Sequence, residues 1–132
     1  MSYMFSGKSK NTIDGVSNQL QVVMHRAIEI SSIDFGIPAS GGIRTAQEQN
    51  RLFMDGKSKC DGYDKLSYHQ TGNAIDVYAY VDGKASWKVE HLNIVALAVL
   101  AAASELGIKV KWGGHFKGGW DKPHFELIEV EL

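Results

Sequence analysis

Apolar positions fall into a few periodic runs. Val16, Leu20, Val23, Ala27 and Ile30 recur at alternating steps of four and three. They form one stripe and predict a helix from about Gly15 to Ser32. Phe35 to Ile43 reads as extended but is interrupted by Pro38 and Gly41-Gly42. Thr45-Ala46-Gln47-Glu48 fits a capping box, with Thr45 as N-cap, and the short helix it starts should stop near Gly56. Lys57 to Leu66 is polar and reads as a loop. Ala74 to Val81 is rich in Val, Ile and Tyr without a breaker, which predicts one strand. Asp82-Gly83 then turns the chain into a hairpin. Lys88 to Leu106 predicts a mostly buried helix, and Gly107 suits its C′ position. A short strand over Ile108–Trp112, a Gly-rich loop over Gly113–Gly119 and a last strand over about His124–Val130 complete the chain. Helices and strands do not alternate regularly. That favours an α+β fold, with a small antiparallel or mixed sheet packed with helices.

Composition narrows the classes. The 132 residues, 44% of them hydrophobic, make a single domain over 1–132 with a real core. Fourteen basic residues stand against 15 acidic ones, a net charge of −1. That balance argues against nucleic-acid binding through a basic field. The single cysteine, Cys60, excludes an internal disulfide and a Cys cluster for structural zinc. The start, MSYMFSGKSKNTID, has no apolar core of a signal peptide and no small-residue cleavage site. The longest apolar run, Ile94 to Ala103, is about half of what spans a bilayer. The expectation is a soluble monomer made without an export signal and without membrane insertion.

Two stretches hold unusual polar groupings, Ser67-Tyr68-His69-Gln70-Thr71-Gly72-Asn73-Ala74-Ile75-Asp76 and Trp120-Asp121-Lys122-Pro123-His124-Phe125-Glu126. Asp76 falls inside the predicted strand, on a face with Ala74, Tyr78 and Tyr80. A carboxylate in such an apolar strand is costly unless it is paired or bound to a cation. His69, seven residues earlier and across Gly72, suits the second arrangement. If His124 completes a His69–Asp76–His124 set, a metal has three protein ligands, the common number in catalytic zinc sites. Nitrogen and oxygen donors without sulfur suit Zn²⁺. Asp121 is then an extra carboxylate beside the metal, placed to take a proton from the attacking water and pass it to a leaving amine. Arg44 could stabilise an oxyanion or clamp a substrate carboxylate.

The pattern Ser-x-His-x-x-Gly-x-Ala-x-Asp, followed by Asp-x-x-His-Phe-Glu, resembles the zinc D-Ala-D-Ala peptidase superfamily. This group includes D,D-carboxypeptidases, D-Ala-D-Ala dipeptidases and phage endolysins that act as L-alanyl-D-glutamate peptidases. The resemblance runs from the N-terminal helix through Gly42-Ile43-Arg44-Thr45 to the last strand and is strongest to the endolysins. It implies the fold shared with hedgehog signalling domains. It implies His69, Asp76 and His124 as zinc ligands, Asp121 as catalytic base and Arg44 as transition-state or substrate contact. Ser67 matches the motif serine, which orients substrate or the ligand loop. Two departures stand out. Asp121 replaces the Glu of many exopeptidases, and Lys122-Pro123 stands where endolysins can carry Gly-Gly.

Each residue also has a plainer reading. Arg44 could pair with Glu48 one turn on. Asp121 could cap a turn. Glu126 could face solvent or orient a metal-bound His. His25 and His91 read as helix-surface residues, and His115 is a rival ligand. Trp112 and Trp120 read as wall or core residues. The polar loop with Asp55, Asp61 and Asp64 is a conceivable second cation site. The function implied by the resemblance is a zinc endopeptidase that cuts the L-Ala–D-Glu bond of peptidoglycan stem peptides by metal-activated water. Two rivals are a D,D-carboxypeptidase and a non-catalytic, zinc-stabilised wall- or partner-binding module. Delivery is expected from host bacterial cytoplasm through a phage pore.

Overall fold

The computed structural model describes residues 2–128. It contains four α-helices: α1 (Gly7–Asp14), α2 (Asn18–Ile30), α3 (Ala46–Met54) and α4 (Val89–Leu106). Six strands form two small antiparallel sheets. β1 (Asp34–Gly36), β3 (Tyr78–Val81) and β4 (Lys84–Ser86) make one, in the order β1-β3-β4. β2 (Ala74–Asp76), β6 (His124–Leu127) and β5 (Val110–Trp112) make the other, in the order β2-β6-β5. The α+β expectation therefore holds, with antiparallel pairing in both sheets.

The helix predicted over Gly15–Ser32 is α2, and α1 precedes it outside the predicted bounds. Ser6 caps α1 by accepting from the Ser9 amide, and Ser17 caps α2 by accepting from the Leu20 amide. Helix α1 escapes the periodicity reading because Ile13 is its only buried apolar residue; its other buried position, Ser9, is polar. The Ser9 hydroxyl accepts from the Ile37 amide and ties α1 to the first sheet. On α2 the buried face is Leu20, Val23, Met24, Ala27 and Ile28. Ile30, predicted on that stripe, is 38% exposed.

Helix α4 is long and apolar enough to cross a membrane by composition, with a mean hydropathy of 1.5. Here it packs on α2, burying Leu92, Val95, Ala96, Val99, Ala102 and Ala103 in the shared core. Gly107 ends it in the left-handed conformation at φ 69°, which Gly adopts without strain. Asp82 and Gly83, at φ 54° and 76°, make the predicted tight turn between β3 and β4.

The predicted single strand over Ala74–Val81 is broken at Val77. The Val77 amide leaves both ladders and donates to the Pro123 carbonyl at 2.9 Å. The chain thus passes from one sheet to the other. Tyr78 and Tyr80 line a cavity with Phe5 and Gly36, away from Asp76, so the predicted common face with Asp76 is corrected. The last strand ends at Leu127, and its predicted end, Val130, lies outside the described residues.

Candidate metal centre

The register of the second sheet builds the site. In it Asp76 is paired directly with His124, and Ile75 with Phe125. Directly opposed residues have Cβ atoms about 5 Å apart, so a carboxylate and an imidazole meet with no loop needed to bring them together. The third member, His69, comes from a 3-10 turn over Tyr68–Thr71. Ser67 caps that turn by accepting from the His69 amide, and the Gln70 side chain accepts from the Ser67 amide in return. Gly72 closes it at φ 74° and hands the chain to β2.

The three side chains converge. His69 Nε2 lies 3.3 Å from Asp76 Oδ1 and 3.3 Å from His124 Nδ1, and His124 Nδ1 lies 3.0 Å from the same Asp76 oxygen. Their outward nitrogens are held from behind. His69 Nδ1 donates to the Gly42 carbonyl at 2.9 Å, and His124 Nε2 to Glu126 Oε1 at 2.8 Å. Those two bonds orient both rings so that the second nitrogen of each faces Asp76. Two imidazole nitrogens and one carboxylate oxygen, lying within 4.8 Å of one another, are a donor set that fits zinc.

Arg44 lies against the set and not against Glu48, whose carboxylate completes the capping box on α3. Its Nη2 meets Asp76 Oδ2 at 3.2 Å, Nη1 donates to Gln49 Oε1 and Nε to the Ser40 carbonyl. Asp76 therefore splits its oxygens, Oδ2 to the guanidinium and Oδ1 to the imidazoles. Three of the five Arg44 donors are used.

Asp121 stands beside the cluster, its Oδ2 3.9 Å from His124 Nδ1. The Trp112 indole donates to the Lys122 carbonyl at 2.7 Å and steadies this loop. A Cβ on Gly113 would run into the backbone carbonyl of Asp121, so only Gly lets the two segments touch.

Burial governs the electrostatics. It would raise the Asp76 carboxyl, but hydrogen bonds from His124 and His69 outweigh it and hold the group well below the usual range. Burial would lower His124, but the Asp76 and Glu126 carboxylates push it up to about 9. Asp121 moves the other way from Asp76: burial, aided by the Asp76 charge, raises it. An elevated carboxyl next to a depressed one is a pattern of separate acid–base roles.

These groups floor a groove of about 420 Å³. Arg44, Ser67, His69, Asp76, Asp121 and His124 all border it, so the fold brings the six predicted residues together. His115 is exposed, packs edge-on against Trp112 and stays out of the donor set. Trp120 is 68% exposed and lines the groove, and Phe116 packs against both it and His124. The conceivable second cation site dissolves: Asp61 Oδ1 accepts from the Tyr63, Asp64 and Lys65 amides and caps a turn. Gln49, fully buried and bonded to Arg44, Ser58 and Cys60, was missed. A Gln on a short helix gives no chemical signal by type.

A family model described as phage L-alanyl-D-glutamate peptidase matches residues 1–128. The chain belongs to that family. It is 34% identical to the L-alanyl-D-glutamate peptidase of Escherichia phage T5, over 97% of this chain and 100% of that one. Similarity to the peptidoglycan L-alanyl-D-glutamate endopeptidase CwlK of Bacillus subtilis is 33% identity over 66% of this chain and 58% of CwlK. Among solved structures, the Serratia marcescens L-Ala D-Glu endopeptidase ChiX superposes with a TM-score of 0.84 at 33% identity, covering 95% of this chain and 90% of ChiX. The α+β architecture of this peptidase is thus that of ChiX.

Proposed function

We propose that the protein is a zinc-dependent endopeptidase that cuts the L-Ala–D-Glu bond in peptidoglycan stem peptides. The observation that carries this is the convergence of His69, Asp76 and His124 beside a raised Asp121 carboxyl in one groove, in a chain of this family. A zinc ion held by the three residues would supply Lewis-acid chemistry at the scissile carbonyl.

The chain's own groups do the rest. Asp121, ionised, takes a proton from the attacking water and gives it to the leaving D-glutamyl amine. Its position next to the donor set but outside it leaves its oxygens free for that transfer. Arg44 fixes Asp76, and its two remaining donors meet negative charge building on the substrate. Ser67 orders the His69 turn through its cap and borders the groove where substrate lies. Glu126 and the Gly42 carbonyl keep both rings oriented.

The protein acts as a monomer on the cell wall, reaching it from host cytoplasm through a phage-encoded pore. Digestion of purified peptidoglycan tests the reaction. New D-glutamyl amino termini are expected; released D-Ala without them would point to a D,D-carboxypeptidase instead. Wall binding without any new terminus would point to a non-catalytic module.

A further inference from the structure

One wall of the groove has no part in the chemistry described so far. It is the segment between α3 and the His69 turn, and it carries Lys57, Lys59 and Lys65 along the groove. All three are exposed. The ion pairs among the described residues belong to Arg26, Arg44, His69 and His124, so none of these lysines is neutralised by a carboxylate. The acidic groups of the groove are otherwise engaged or needed: Asp76 with Arg44, Glu126 with His124, Asp121 in proton transfer. The segment also carries Asp55, Asp61 and Asp64, but only its three lysines border the groove, so it is the positive side chains that this wall presents to substrate.

The wall has no regular secondary structure, yet it is pinned along its length. Gln49 Nε2 donates to Ser58 Oγ at 2.8 Å and to the Cys60 carbonyl at 2.9 Å. Asn50 Nδ2 donates to the Asp61 carbonyl at 2.9 Å, and Gln70 Nε2 to the Gly62 carbonyl at 2.9 Å. Gln49 also accepts from Arg44, so the same buried amide sets the wall and the guanidinium beside the donor set. Lysines on a pinned backbone reach the groove at a lower ordering cost than lysines on a loose loop.

The substrate class has a matching feature. In stem peptides the D-glutamyl residue continues the chain through its γ-carboxyl, so its α-carboxylate stays free and ionised next to the scissile bond. We propose that Lys57, Lys59 and Lys65 form the carboxylate-binding wall that takes this D-glutamyl α-carboxylate and makes the enzyme prefer it over the neutral carboxamide. The proposal rests on the cleavage reading above and adds the charge state of substrate that the groove selects.

Two N-acylated L-Ala-γ-D-Glu-L-Lys peptides test it, one with the α-carboxylate and one with the α-carboxamide. The wild-type enzyme should favour the carboxylate in kcat/KM by about tenfold, the scale of a few partly exposed charge contacts. The difference should lie mainly in KM and shrink as salt is raised. Replacing the three lysines together by Gln should bring the two substrates level, and replacing them by Arg should keep the preference. Because the readout is a ratio within one preparation, partial loss of active protein does not affect it. Equal cleavage of both peptides by the wild type, or an unchanged ratio in the Gln variant, overturns the wall. Cleavage of neither peptide by the wild type overturns the reaction itself, and the wall with it.

Discussion

Asp76 divides its oxygens between a guanidinium and two imidazoles, and that division sets what each substitution should do. His69→Ala removes a donor and should abolish both metal uptake and lysis. Asp121→Ala should keep the metal and lose about 10²–10⁴-fold in turnover, the usual weight of a general base; metal content and muropeptide release, measured on one sample, separate the two cases. As the proposed base, Asp121 would act ionised, and burial raises it, so activity should climb with pH through a limb displaced above the ordinary carboxylate value. A pH profile of kcat that stays flat there would remove Asp121 from the base role.

His124 gives a second pH signature. Its imidazolium, at about 9 without metal, places a proton on the nitrogen that a cation needs. Metal affinity should therefore rise with pH up to about 9. The metal-free fold should behave oppositely. The folded value lies above the ordinary 6.5, so the stabilisation from protonated His124 is full below 6.5 and lost as pH approaches 9. Thermal melts of chelated protein across that window check the sign. Glu126→Gln weakens the acceptor behind His124 and should cost about 10–100-fold in metal affinity while leaving all three donors in place.

At the scale of elements, residue types disclosed the donors, and pairing geometry explains how they meet. The Ser-x-His-x-x-Gly-x-Ala-x-Asp spacing was readable because Ser67, His69, Gly72 and Asp76 each have a chemical or conformational reason to be there: a cap, a donor, a left-handed turn, a second donor. The α3 capping box was readable for the same reason, and both of its bonds are present. Thr45→Ala should cost about 1 kcal/mol by chemical denaturation, without loss of metal. The break at Val77 was not readable, because Ala74–Val81 has uniform β character and the signal is a carbonyl 46 residues away, that of Pro123. Contacts between distant loops leave no local trace. The approach of Gly113 to Asp121 is another such contact. Gly113→Ala should displace the Asp121 loop and lower kcat far more than it lowers the melting temperature.

Across the whole molecule, the site is only as rigid as the core beneath it. Phe125, fully buried, sits between His124 and Glu126 on β6 and anchors both against the α2–α4 layer. The amphipathic stripes disclosed most of that layer, although Ile30, the last residue of α2, is exposed and Ile28 is buried instead, beside Met24 and Ala27 on the core face. The apolar character of α4 likewise serves packing on α2.

In the proposed enzyme, two imidazoles and one carboxylate would hold a single catalytic zinc. Elemental analysis of purified wild-type protein beside His69→Ala, after equilibration with limiting zinc and removal of the excess, tests it most directly. One zinc per wild-type chain is expected, and almost none in the variant. Metal-free wild-type protein that still cleaves stem peptides, or a variant that keeps its zinc, would contradict it.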